Sequence, residues 1–192
     1  MEWNLEGLAI LKEVIQAFDE LGIPYAVGGS VASSIQGKPR FTLDADISVE
    51  PFPGREAELV SRFGGDYYIS LPAVKEAVRD RSSFNIIQTA KAAKVDVFVR
   101  KDRPFELSAM HRKRNLVLAE QGLGAIQVLS PEDIILHKLE WYRLGDEVSD
   151  RQWSDILGVI QVQGERLDRA YLQKWAEELG VADLLARAFS QA

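Results

Sequence analysis

The sequence predicts a mixed α/β (α+β) fold, in which a mixed β-sheet core is flanked by helices and followed by a C-terminal helical bundle. Strand-like and helical segments alternate up to residue 129, whereas only helical patterns follow from residue 130. Such an order is typical of helices packed beside a mixed sheet. We therefore predict a core over residues 1–129 and a helical region over residues 130–192 that packs on it.

Composition narrows the class of protein. The chain has 192 residues, no cysteine, 46% hydrophobic and 27% charged residues, and a formal net charge of −6. A protein that coats nucleic acid needs a surplus of Lys and Arg, which this chain does not have. The N-terminus does not resemble a signal peptide, and no apolar stretch has membrane-spanning length. These features predict a soluble cytoplasmic protein without a membrane partner.

The elements of the first part follow from hydrophobic periodicity and from turn residues. Apolar residues at helical spacing predict a helix over residues 5–21, and Gly28-Gly29-Ser30 separates a short strand over 24–27 from a brief helix over 31–35. The other predicted elements are a strand over 42–50, a helix over 55–63, and strands over 84–88, 95–100 and 124–129.

The helical region begins with a strong start signal. Ser130 supplies a capping side chain, Pro131 occupies the first turn, and Glu132 and Asp133 follow it. Three or four helices are predicted from here to the C-terminus, separated near Gly145, Gly164 and Gly180.

Three aspartates form the candidate catalytic and metal site. Strict alternation over residues 42–50 places Asp44 and Asp46 on one face of a strand, and their Cα atoms are expected roughly 6.5–7 Å apart. Asp96 lies in the middle of a second strand, opposite the valines on either side of it. Together these carboxylates could hold Mg²⁺ or Mn²⁺ against a triphosphate. The alternative is that all three face solvent on the outer side of a sheet.

Gly28, Gly29 and Ser30 form a candidate phosphate-binding turn. Glycine lets a phosphate approach the backbone, and free amides at a helix start can bind it. Most triplets of this kind are only turns, but this one precedes the Asp-x-Asp strand by about a dozen residues.

These motifs, in this order, resemble the signature of the DNA polymerase β-like nucleotidyltransferase superfamily. The resemblance rests on Val27-Gly28-Gly29-Ser30, Thr42-Leu43-Asp44-Ala45-Asp46-Ile47 and Val95-Asp96-Val97, and it covers roughly residues 20 to 100. It implies a nucleotidyltransferase-like fold, ATP or another NTP as substrate, and transfer of a nucleoside monophosphate to a hydroxyl on a protein, an RNA or a small molecule.

The helical region is similar to that of the minimal bacterial branch that includes the AbiEii-like toxins. Members of that branch carry a helical Lys followed by an Arg-Asp-x-x-Asp motif; this chain has Lys138, Arg151 and Asp155, with Gln152 in place of the first acid. The resemblance implies an alternative function, in which the chain is one half of a toxin–antitoxin or regulatory pair and binds a protein partner with little catalysis.

Lys138 and Arg40 are the candidate cations for the phosphates. Lys138 is surrounded at helical spacing by Ile134, Ile135, Trp141 and Tyr142, so its ammonium group needs either a partner or a path to solvent. Arg40 precedes the Asp-x-Asp strand and could equally be a solvated loop residue.

Other polar residues have simpler explanations. Arg151 and Asp155 are four apart on a predicted helix, where a local ion pair accounts for both. The basic segment 100–114 could guide RNA or another anionic acceptor, although such runs are usually solvated faces. Core packing explains the tryptophans better than base stacking does, and His111 and His137 show no metal-ligand spacing.

Overall fold

The computed structural model describes residues 5–40, 42, 44–91, 93–118 and 122–192. Within these ranges the chain forms strands and helices in the order α1 (Leu5–Glu20), β1 (Tyr25–Val27), α2 (Gly29–Gln36), β2 (Asp44–Val49), α3 (Glu56–Ser61), β3 (Tyr67–Tyr68), α4 (Leu71–Asp80), β4 (Ser83–Gln88), β5 (Ala93–Val99), α5 (Pro104–Arg112), β6 (Arg114–Leu118), β7 (Gly124–Val128), α6 (Pro131–Leu144), α7 (Asp150–Gln163), α8 (Arg169–Glu178) and α9 (Ala182–Gln191).

The strands form one mixed sheet in the order β3-β4-β5-β2-β1-β7-β6. Its centre is the parallel pair of β2 and β5, which lie far apart in the chain. β1 runs antiparallel to β2 and parallel to β7, and β4 runs antiparallel to β5. The carboxyl end of β1, where the glycine turn begins, therefore lies beside the first residues of β2.

The two faces of the central strands differ in character. Ala45, Ile47 and Val49 of β2 are buried with Val95, Val97 and Val99 of β5, on the face that α1 covers. The alternate residues of both strands are polar or only half-buried. Because successive side chains of a strand point to opposite faces, the buried valines fix the aspartates on the other side.

The C-terminal helices pack on one another and on α2. α6 contacts α7 and α8, and α9 contacts α7 and α8. α2 joins them closely, since a Cβ atom added at Gly37 would lie 2.7 Å from the backbone nitrogen of Val159. No helix in the described ranges has both the length and the apolar composition needed to cross a membrane.

The predicted fold class is confirmed, with local differences. α6 begins after Ser130, as the sequence predicted, and the Ser130 hydroxyl accepts a hydrogen bond from the backbone amide of Asp133. The structure adds β3, α4 and β6, and it places α5 inside the basic segment. The sequence does indicate the start of α4, through the capping residue Ser70 and Pro72 in the first turn. Leu43 of the Asp-x-Asp motif and Trp3 lie outside the described residues.

Candidate active site

The floor of the candidate site is a row of polar side chains across three strands, which we call the acidic row. Asp46 of β2 lies opposite Asp96 of β5 in the parallel register, and Asp96 lies opposite Asn85 of β4 in the antiparallel register. Asp44 is in register with Lys94, two residues earlier on the same face. Topology thus brings the three predicted aspartates onto one face of two neighbouring strands.

Asp46 is held against the glycine turn. The backbone amide of Ser30 donates a hydrogen bond to its carboxylate, at the start of α2. Gly29 has a φ of +52°, and a Cβ atom there would lie 1.7 Å from Oδ2 of Asp46. Burial, and then the charge of Asp96, raise the pKa of Asp46 above its ordinary value. A glycine is therefore required at position 29 for this carboxylate to reach the helix start.

The three carboxylates share a face but are not gathered into one cluster. Asp96 accepts a hydrogen bond from Asn85 and forms an ion pair of 2.8 Å with Nζ of Lys94. Asp44 is exposed at the rim. Within the described ranges, these three side chains do not bring one oxygen each to within 4.8 Å of the other two, as three ligands of one metal ion would. The predicted ligand roles of the aspartates stay predictions.

All the sequence-predicted site residues line a single cavity of about 810 Å³. A volume of this size is typical of small-molecule sites. The lining includes all eight candidates, namely Gly28, Gly29, Ser30, Arg40, Asp44, Asp46, Asp96 and Lys138.

Asp155 of α7 joins the two candidate phosphate-binding cations. Its carboxylate accepts hydrogen bonds from Nε and Nη2 of Arg40, at 2.7 and 2.9 Å, and from Nζ of Lys138 at 2.8 Å. The same Nη2 of Arg40 lies 2.6 Å from the hydroxyl of Ser30. The helical region therefore keeps both cations beside the glycine turn. Lys138 is part of α6, and Asp155 of α7 binds both Lys138 and Arg40.

This network corrects two sequence interpretations. Lys138 does not reach solvent past the helix edge, because its side chain is only 8% exposed and is paired with Asp155. Asp155 does not pair locally with Arg151, which is exposed; its partners lie on α6 and on the loop before β2. Burial alone raises the pKa of Asp155, but the hydrogen bond from Arg40 and the charge of Lys138 hold it below its ordinary value.

A second cluster of possible metal ligands also lines the cavity, and the sequence did not predict it. Glu106, His137 and Glu140 have ligand atoms within 4.8 Å of one another. However, the guanidinium of Arg103 already lies 2.5 Å from Glu106 and 2.6 Å from Glu140. A cation bound there would have to displace this arginine, so the cluster is better described as a salt-bridge network. The i, i+3 spacing of His137 and Glu140 on one helix was the available signal.

The arginines of the basic segment are paired rather than free. Arg100 pairs with Glu50, Arg103 with Glu140, and Arg112 and Arg114 both with the buried Glu132. Arg100 has a side chain only 10% exposed, whereas that of Arg114 is 45% exposed, so the interpretation as a solvated face fails for Arg100 and holds for Arg114. These contacts also remove most of the positive charge that an RNA-binding surface would need.

Known proteins resemble this chain in structure but not in sequence. No protein-family profile matches the chain, and no curated protein matches it by sequence. Among solved structures, it is similar to an antigenic nucleotidyltransferase-like protein from Paracoccidioides brasiliensis, with a TM-score of 0.55 and 17% identity over 92% of this chain and 91% of that one.

Two further structures agree. A protein from Thermotoga maritima assigned as a nucleotidyltransferase has a TM-score of 0.52 and 19% identity over 80% of this chain and 96% of that one. ANT(2″)-Ia in complex with adenylyl-2″-tobramycin has a TM-score of 0.52 and 15% identity over 96% of this chain and 97% of that one. These likenesses show that the chain has a nucleotidyltransferase-like fold.

Proposed function

We propose that the protein is a metal-dependent nucleotidyltransferase, which transfers a nucleoside monophosphate from an NTP to a hydroxyl acceptor. One observation carries the proposal: Asp46 and Asp96 are direct neighbours across two parallel strands, beside a glycine turn and in a cavity of about 810 Å³. Like charges side by side on one face repel each other, and a cation bound between them would offset that repulsion.

The residues present fit a divalent cation. Asp44, Asp46 and Asp96 offer only carboxylate oxygens, which are the ligands that Mg²⁺ and Mn²⁺ accept. The raised pKa of Asp46, caused by burial and then by Asp96, reflects unfavourable negative charge that a cation would offset. When bound, such an ion neutralises phosphate charge and activates the attacking oxygen.

The chain itself supplies positioning for the triphosphate. Arg40 and Lys138 would neutralise its oxygens beside Gly28 and Gly29, since Asp155 holds both cations in place before substrate arrives. Preorganised charges of this kind lower the barrier because they need no rearrangement in the transition state. The amide of Ser30 already serves Asp46, so its hydroxyl is the part of Ser30 available to a phosphate.

The proposed transfer exchanges one bond at the α-phosphorus for another. The acceptor oxygen forms a bond to the α-phosphorus, the bond from that phosphorus to the bridging oxygen breaks, and pyrophosphate leaves. Asp96 would take the hydroxyl proton, for which its side chain must exchange the present contact with Lys94.

The acceptor class stays open between a protein, an RNA and a small molecule. The similar structure of ANT(2″)-Ia holds an adenylylated small molecule, which supports testing small hydroxyl compounds first. The paired arginines of the basic segment make RNA the weaker choice. The AbiEii-like branch and a protein partner of a toxin–antitoxin pair stay predictions from the sequence.

The experiment is calorimetric titration of the four NTPs, with Mg²⁺ and with EDTA, into the wild type and Asp44→Asn. Asp44 is exposed, so its substitution leaves the fold intact. We expect Mg²⁺-dependent binding to weaken at least about 10-fold, since even outer partners of a metal site typically contribute that much. Asp66→Asn is the matched control, because Asp66 is exposed and outside the cavity.

Unchanged Mg²⁺-dependent binding by Asp44→Asn would contradict the proposed ligand role. Pyrophosphate release that requires the pooled hydroxyl acceptors, and that the same substitution abolishes, would establish transfer, whereas release without acceptors would be hydrolysis by water. NTP binding without any release would favour the alternative of a partner-binding protein.

A further inference from the structure

A second row of side chains crosses the cavity floor next to the acidic row, and we call it the aromatic row. Phe98 of β5 lies opposite Ser48 of β2 and opposite Ser83 of β4. All three line the cavity. The row lies two residues further along β2 and β5 than the acidic row, roughly 6.5 Å away. It carries no charge, in contrast to the acidic row.

Trp141 of α6 covers this row from the opposite side. Its ring centroid lies 6.4 Å from that of Phe98, and the planes are inclined by 57°. Trp141 lines the cavity, yet 51% of its surface is exposed. Trp175, in contrast, is buried in the helical region. Core packing therefore explains Trp175 but does not explain Trp141.

The positions on α6 match those on the sheet. Lys138 lies beside Asp155 and the glycine turn, and Trp141 follows it by three residues on the same side of the helix. Along β5, Phe98 follows Asp96 by two residues. On α6 the aromatic Trp141 follows the charged Lys138, and on β5 the aromatic Phe98 follows the charged Asp96. The charged groups therefore lie at one part of the cavity and the aromatic rings at the next.

We infer that Trp141 and Phe98 form the nucleobase subsite of the NTP. The inference rests on the proposed function, because it takes the α-phosphate to lie over the acidic row. A base joined to that phosphate through a ribose is flat and uncharged and has polar edges. The exposed face of Trp141 suits its ring, and the hydroxyls of Ser48 and Ser83 suit its edges.

The test compares two probes, ATP and inorganic tripolyphosphate, each titrated with Mg²⁺. Tripolyphosphate carries the phosphates without ribose or base. We expect Trp141→Ala to weaken ATP binding on the order of 10-fold, as loss of one stacked base does, and to leave tripolyphosphate binding unchanged. Trp141→Phe should retain most of the ATP affinity because a flat ring remains.

The matched control is Tyr68→Ala, since Tyr68 is an aromatic residue that is 58% exposed and outside the cavity. It should bind both probes as the wild type does. Equal ATP affinity of Trp141→Ala and the wild type would overturn the subsite, as would an equal loss for both probes. A wild type that binds neither probe would overturn the proposed function, and the subsite with it.

Discussion

Substitution of Gly29 by alanine tests how the glycine turn and Asp46 depend on each other. At this position the backbone has a φ of +52°, and a Cβ atom would lie 1.7 Å from Oδ2 and 2.5 Å from Cγ of Asp46. Neither atom is the end of a long flexible chain, so the carboxylate must move away from the helix start. It then loses the hydrogen bond from the amide of Ser30.

The cost has two parts. Left-handed backbone at a residue with a Cβ atom costs about 1–2 kcal/mol. Loss of a hydrogen bond to a charged group adds about 1.5–3 kcal/mol. A total of about 2.5–5 kcal/mol would lower the Tm of a chain of this length by roughly 5–20 °C. Because Asp46 also leaves its position, Mg²⁺-dependent ATP binding should fall with stability.

Thermal and urea unfolding of Gly29→Ala, with Gly28→Ala as the matched control, check this expectation. Gly28 has a φ of −122°, and its added Cβ atom would lie 3.3 Å from Cδ1 of Leu129 and 3.9 Å from the backbone oxygen of Asp46. The control should therefore lose about 1 kcal/mol, at the low end of the cost of adding a methyl group at a packed site. If Gly29→Ala is as stable as Gly28→Ala, the close packing of Asp46 on the glycine turn is refuted.

Two further predictions concern Asp155. Replacement by alanine leaves the buried ammonium of Lys138 unpaired and should lower the free energy of unfolding in urea by about 3–5 kcal/mol. Arg151→Ala should lower it by no more than about 0.5 kcal/mol. Equal losses would instead support a local ion pair between Arg151 and Asp155. Because Arg40 and Lys138 together hold the pKa of Asp155 below its ordinary 3.8 despite burial, the pair contributes stability above that pH and loses it as the pH falls further. Urea unfolding between pH 6 and 3 should therefore show the advantage of the wild type over Asp155→Asn shrinking below about pH 4, and a constant difference would contradict the lowered pKa.

Local patterns predicted much of the fold. The alternation of residues 42–50 predicted a strand with Asp44 and Asp46 on one face, and β2 has that pattern. Capping by Ser130 predicted the start of α6, since a cap depends on residues only three positions apart. Periodicity also indicated that Lys138 lies on a buried face.

Other features could not be read from local patterns. Lys138 pairs with Asp155, 17 residues away, and Arg40 pairs with the same carboxylate across 115 residues. Trp141 has apolar helical spacing like a core residue, yet it is exposed in the cavity. Spacing along a helix states which residues share a face, but it does not state whether a neighbouring element covers that face.

The sequence by itself determined which strand face each candidate aspartate occupies and where the glycine turn lies, because those properties depend on alternation and turns within a few residues. Only the tertiary structure decided that Asp46 lies against Asp96 and that Asp155 pairs with Arg40 and Lys138 rather than with Arg151. Pairing of β2 with β5 joins segments about 50 residues apart, and such a register is set by burial of Ile47 and Val97 in a common core.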